Sequence, residues 1–245
     1  MRISVPLHAV LLSVVIHTLW GGNPIGAKFG LEVFPPAWSA LIRFVFGIVT
    51  IALWCRWRRH PLWPSRAEWL PMLKVSLLFT AQILLMNIGF DHTSGINASI
   101  LISTNPLFAA LFAHLLLGND RLTWLRSTGL AVAFAGVFVT LIQSGDKPGS
   151  FGNTGDWICL LSAGLLGFRL IVSAGTMRQV DPFKLAIWQM VFSLPVYLLI
   201  GTTTETIQWQ NYHYGVLAGL AYQGIVVAGF GFMASLWLIS KSGPV

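Results

Sequence analysis

Eight stretches of about 20 mainly apolar residues follow one another along the chain, at roughly 5–27, 36–55, 69–90, 95–117, 125–143, 155–176, 183–201 and 214–239. A helix of about 20 residues crosses a hydrocarbon core of about 30 Å, and that core offers no water to an open backbone. Each stretch is therefore constrained to be a membrane-spanning α-helix, and the fold class is all-α: a polytopic transmembrane helix bundle of about eight spans. Composition agrees, with 55% hydrophobic and only 9% charged residues, a balance that does not suit a water-soluble domain. The first stretch follows Arg2 in the manner of a secretory signal, but no small-residue cleavage site follows it and seven more spans do. It reads as a retained helix.

The formal charge of +7 follows the loops rather than one soluble face, which excludes a nucleic-acid surface. With the N-terminus inside, the cytoplasmic segments hold Arg2, then Arg56, Arg58, Arg59 and Arg66, then Arg121 and Arg126, then Arg178 and Lys184, and finally Lys241; the opposite side holds little beyond Lys28 and Lys147. This asymmetry predicts an inner (plasma) membrane protein with both termini cytoplasmic. The same topology puts Cys55 near the cytoplasmic end of one span and Cys159 near the external end of another, so no disulfide is expected, and two lone thiols predict no metal site.

A shift of 146 positions superposes Gly21 on Gly167, Pro36 on Pro182, Ala40 on Ala186 and Phe46 on Phe192, with the spans in step; a two-residue slip then brings Ser94-Gly95 onto Ser242-Gly243. Five spans separate the copies, so the second enters from the opposite side, the inverted repeat common in secondary transporters. The expected organisation is a first five-span repeat over 1–143, an external loop over 144–154 and a partial, three-span second repeat over 155–245.

Trp20-Gly21-Gly22-Asn23 followed by Lys28, then Pro35-Pro36, Arg43-Phe44, Ser94-Gly95 and Asn105-Pro106 resemble the first repeat of the drug/metabolite transporter superfamily, EamA type; Gly155-Asp156, Asp181-Pro182 and Trp188-Gln189 resemble the start of its second repeat. The resemblance implies a ten-helix bundle of two five-helix inverted repeats that moves amino acids, other metabolites or drugs, often outward. The chain departs from that pattern at Gly118-Asn119-Asp120-Arg121, where the family usually has Gly-Glu-Arg, at Arg169, and at its end, where two spans of the family pattern are not present. Two expectations follow: a permease or exporter working by alternating access, or a truncated or structural membrane protein without transport of its own. In either case a second chain or a dimer is a candidate partner beside the solute and membrane lipid.

Charge inside the bilayer marks the candidate site, because an ionised group at mid-depth costs roughly 3 kcal/mol on insertion scales unless it faces a partner or water. Arg43 and Arg169 lie near the centres of their spans. Guanidinium stays protonated, so each is expected to face the bundle interior, there to bind a substrate carboxylate or phosphate or else to satisfy backbone carbonyls. The first span carries His17, Trp20, Gly21 and Pro24 on one stripe with Asn23 at its edge. Pro24 deprives the Trp20 carbonyl of its helical donor, and Pro106 does the same to Ile102 beside Asn105, so both spans are predisposed to break. Gln189 aligns with Arg43 in the repeat, and Trp188 beside it is an aromatic candidate for stacking a solute. The expected substrate-binding set is thus Trp20, Asn23, Arg43, Asn105, Arg169, Trp188 and Gln189. Gln82, Asn87 and Tyr222 are weaker candidates, and His17 is the candidate proton carrier. No nucleophile elbow, zinc helix, Cys cluster or phosphate loop occurs, so an enzyme is not expected and no cofactor is predicted.

Overall fold

The computed structural model describes residues 7–117, 123–142 and 152–242. Arg2, the Gly118–Arg121 departure and most of the expected 144–154 loop lie outside them. Among the described residues there is no strand. The helices are α1 (Leu7–Gly21), α2 (Asn23–Leu31), α3 (Pro36–Trp57), α4 (Trp69–His92), α5 (Gly95–Ile102), α6 (Asn105–Leu116), α7 (Trp124–Ile142), α8 (Thr154–Thr176), α9 (Pro182–Thr204), α10 (Tyr214–Ala221) and α11 (Phe232–Ser242), with a π-helical segment, Tyr222–Gly231, between the last two.

Seven runs are long and apolar enough to cross a membrane: α1 with α2, α3, α4, α5 with α6, α8, α9, and α10 through the π segment into α11. The 19-residue α7 adds an eighth apolar helix. All the expected spans are present. The first runs to Leu31 rather than stopping at 27, because Pro24 sits in the opening turn of α2, where an N–H is not needed.

Helix ends explain how polar residues survive at the membrane boundary. Asn153 and Asp156 form a reciprocal capping box at the start of α8, and Thr93 donates its hydroxyl proton to the same Asp156 carboxylate. Asp181 accepts from the N–H groups of Phe183 and Lys184 to cap α9. The start of α3 is capped from far away in sequence: Glu205, at the end of α9, accepts from Ala37 N (2.9 Å) and Trp38 N (3.1 Å). A carboxylate at a helix N-terminus also meets the positive end of the helix dipole.

Within the bundle α4 packs along α8 and α9, α3 lies between α9 and the π segment, and α6 rests on α8. Phe44, Phe79, Met190 and Tyr197 are fully buried where these helices meet. Cys55 and Cys159 are both buried and free.

On the side expected to be cytoplasmic, the 58–68 connection is fastened to the start of α9. Lys184 Nζ lies 3.1 Å from Glu68 and His60 Nε2 lies 3.6 Å from Asp181. The Ser65 N–H, followed by the Lys184 ammonium, holds the Glu68 carboxyl below the usual carboxylate range despite partial burial. A depressed carboxylate contributes stability that is fully present above its unfolded value and is lost as pH falls through its folded one. Acidification from neutral through the carboxylate range should therefore lower the Tm of the wild type more than that of Glu68→Gln, by the equivalent of less than about 1 kcal/mol. Parallel acid limbs for the two proteins would remove this contact from the stability of the fold.

Candidate functional site

The two proline breaks face each other across one cavity. α1 stops at Gly21 and α2 begins at Asn23; α5 stops at Ile102 and α6 begins at Asn105. The Ile102 carbonyl freed by Pro106 is taken up by Asn105 itself, whose Nδ2 donates to it at 2.8 Å. At the other break the Tyr222 hydroxyl donates to the Leu19 carbonyl. Gly22 makes that contact possible, since a Cβ there would stand 2.7 Å from the Tyr222 hydroxyl oxygen. Both breaks are thus built by the sequence; at the second a side chain takes up the carbonyl that the proline frees, and at the first Tyr222 binds the carbonyl one residue before the one that Pro24 frees.

The cavity between the breaks has a volume of about 170 Å³. His17, Trp20, Asn23, Arg43, Asn105 and Arg169 all line it, together with Pro24, Pro106 and Gln82. Five of the seven expected substrate-binding residues and the candidate proton carrier are therefore brought together from α1, α2, α3, α6 and α8.

Arg43 and Arg169 are 1% and 5% exposed. The Arg43 guanidinium lies 4.9 Å from the Phe44 ring centroid, and that of Arg169 lies 5.0 Å from Phe79 and 5.9 Å from Phe232. Aromatic faces of this kind lower the cost of a buried cation without neutralising it. Arg169 Nη1 donates to Gln189 Oε1 at 3.1 Å. Arg43 Nε and Nη1, Arg169 Nε and Trp20 Nε1 are buried with no hydrogen-bond partner. Asn23 Oδ1 accepts from Gln223 Nε2 at 3.1 Å, tying α2 to the π segment. His17 Nδ1 lies 2.7 Å from the Ser13 carbonyl and so carries its proton there, which leaves Nε2 as the acceptor of the neutral ring.

Gln189 does not line the cavity; it holds Arg169 from behind. Trp188 is placed elsewhere. One helical step rotates a side chain by about 100°, and that step turns Trp188 toward the 58–68 connection, where its indole donates to the Leu62 carbonyl at 2.8 Å and packs on Trp69, Trp63 and Phe192. Of the weaker candidates only Gln82 lines the cavity, with its Oε1 buried and unpartnered; Asn87 donates to the Pro36 carbonyl instead. Phe232, Met86 and Leu166 are among the apolar residues of the wall. Nothing in their spans distinguishes them, because a helix apolar on every side shows no preferred face. Among the described residues no three His, Cys, Asp or Glu side chains are grouped to hold a metal ion.

Residues 7–142 match the EamA-like transporter family model. The chain belongs to the EamA-like transporter family. It is accordingly a multi-pass membrane permease for a small-molecule solute and not an enzyme. Among its relatives, the uncharacterized transporter YoaV of Bacillus subtilis is 22% identical, with 95% of this chain and 80% of the relative aligned. A probable terminal-alkyne amino-acid exporter of Streptantibioticus cattleyicolor is 26% identical, over 98% of this chain and 78% of the relative. A solved crystal structure at 17% identity superposes with a TM-score of 0.64, covering 97% of this chain and 84% of its own, and so shares the fold. In this EamA-like transporter the two broken spans and both mid-span arginines converge on one cavity.

Proposed function

We propose that the chain exports a small metabolite bearing a carboxylate or comparable anionic group, amino acids among them, by alternating access around the Arg43–Arg169 cavity. The observation that carries this reading is the pair of buried arginines lining one cavity, with donors that no described residue satisfies. A desolvated guanidinium recognises a carboxylate through charge-assisted hydrogen bonds that a neutral solute does not offer. Trp20 and Phe232, edge to face at 5.9 Å, supply an apolar wall for the rest of the solute. The relative named as an amino-acid exporter supports the solute class.

In this reading Trp20, Asn23, Arg43, Asn105 and Arg169 contact the solute, Gln189 positions Arg169, and Trp188 fastens the cytoplasmic side. The repeats are 1–143 and 155–245, inverted about the cavity. The direct test is uptake by proteoliposomes of the purified 245-residue chain, with radiolabelled L-glutamate, L-leucine and succinate against cationic spermidine. Saturable carboxylate flux above protein-free liposomes is expected; flux of spermidine alone would refute the site chemistry, and no flux at all would favour a chain without independent transport.

His17 is the proposed proton carrier, placed at the cavity by α1. His17→Gln should abolish the response of flux to an imposed pH gradient; an unchanged response would assign coupling elsewhere.

Orientation follows the basic residues, with both termini in the cytoplasm of an inner membrane. A cysteine placed at Gln210, in the exposed segment between α9 and α10, should react in intact cells with an impermeant thiol reagent, and one placed at Pro64 should not. The native Cys55 and Cys159 are buried and will not contribute background. Reversed labelling overturns the orientation.

A further inference from the structure

The polar groups of the cavity are unbalanced, and this extends the solute-site reading on which it rests. Trp20 Nε1, Arg43 Nε, Arg43 Nη1 and Arg169 Nε are four buried N–H donors on lining side chains without a partner, and against them stand one buried unpartnered acceptor, Gln82 Oε1, and the neutral acceptor His17 Nε2. Two further side-chain acceptors nearby are committed, Asn23 Oδ1 to Gln223 and Gln189 Oε1 to Arg169.

Carboxylates offer no relief. Every described acid is engaged away from the cavity: Glu32 with His213, Asp91 beside His92, Glu68 with Lys184, Asp181 with His60 and the start of α9, Asp156 with Thr93 and its own cap, and Glu205 with the N–H groups of α3. The two guanidiniums line the one cavity as like charges. Arginine does not shed its proton to escape this. Two cations lining one cavity, with free donors and no counter-charge among the described residues, in a bilayer interior, need an anion of their own.

We infer that the cavity is an anion site that is not left empty: between transport events a small inorganic anion, chloride or phosphate, lies between Arg43 and Arg169, and the carboxylate solute enters by exchanging with it. The inorganic ion completes donors that would otherwise be desolvated and unpaired, and the solute's own anionic group takes them over.

The test is thermal unfolding of the purified full chain in detergent, in a fixed background of bulky sulfonate buffer at constant ionic strength, titrated separately with chloride, phosphate and succinate. Each anion that occupies the site should raise Tm saturably, by about 5–10 °C at a hundredfold excess over its Kd. Chloride or phosphate added at saturating succinate should give no further rise, since both compete for one site. The rise should shrink in Arg43→Gln and in Arg169→Gln and be partly kept in Arg43→Lys. Absence of any rise with chloride and phosphate overturns the inference, as do increments that add to that of succinate, and both comparisons need only the wild type. The transport reading fails separately: carboxylate flux without inorganic-anion protection leaves the carrier and removes the resident anion, whereas Arg43-dependent protection in a chain that carries no solute does the reverse.

Discussion

Arg43→Gln is expected to lower carboxylate flux in proteoliposomes tenfold or more while leaving the protein, in sulfonate buffer free of chloride and phosphate, at least as stable as the wild type. A hydrogen bond to a charged group contributes about 1.5–3 kcal/mol, and about 1.4 kcal/mol is a factor of ten in affinity, so losing the guanidinium weakens binding from roughly tenfold to beyond a hundredfold. Stability moves the other way because Arg43 Nε and Nη1 have no hydrogen-bond partner to lose. Replacing an uncompensated buried charge with a neutral amide removes a penalty instead of creating one. The two readings of this residue therefore separate on paired measurements. An arginine that braces the bundle would give a lower Tm with normal transport per folded molecule, and that pattern would sink the assignment of Arg43 to the solute. Arg169→Gln should behave similarly in flux but cost some stability, since it breaks the bond to Gln189.

The spans and their breaks were legible in the sequence for a simple physical reason. Hydrocarbon demands about 20 apolar residues per crossing, and a proline cannot supply the N–H its helix requires, so the eight stretches and the interruptions at Pro24 and Pro106 are written in residue type alone. The mid-span arginines were legible as well, because in that medium a charge has to face inward. Facing was not legible. Trp188 and Gln189 are neighbours that both entered the expected site, yet one turns to Leu62 and the other to Arg169. Helical periodicity resolves such a choice only when one side of the helix is polar, and membrane spans lack that contrast. Gln82 suffered from the same ambiguity, since a lone glutamine in an apolar helix looks alike whether it meets Ser162 or a solute; the structure shows that its amide nitrogen does the first while its oxygen lies free at the cavity. The cap of α3 by Glu205 spans 168 positions and leaves no local pattern at all.

The π segment carries the second large expected effect, through Gly224→Ala. A Cβ at Gly224 would lie 2.4 Å from the Phe46 Cβ and 2.7 Å from the Arg43 carbonyl oxygen, and neither atom is the far end of a flexible side chain. The π segment and α3 must then separate, and inserted volume of this kind costs about 1–3 kcal/mol in a packed interior, a fall of several degrees in Tm for a chain of this size. Gly175→Ala is the matched control: a Cβ at Gly175 meets nothing within 4 Å, so the better helix propensity of alanine should leave Tm unchanged or slightly raised. Flux decides what the close approach is for. One of the atoms that Gly224 accommodates is the Arg43 carbonyl oxygen, so moving α3 moves the guanidinium, and flux per folded molecule should fall with stability. Gly89→Ala provides an equally crowded comparison in the α4–α8 contact, with Cys159 Sγ at 2.7 Å and its backbone N at 2.9 Å, and there stability should fall while flux per folded molecule is largely kept. Equal losses of flux in the two variants would mean that the cavity responds to loosening anywhere in the bundle and that the π segment has no particular hold on Arg43.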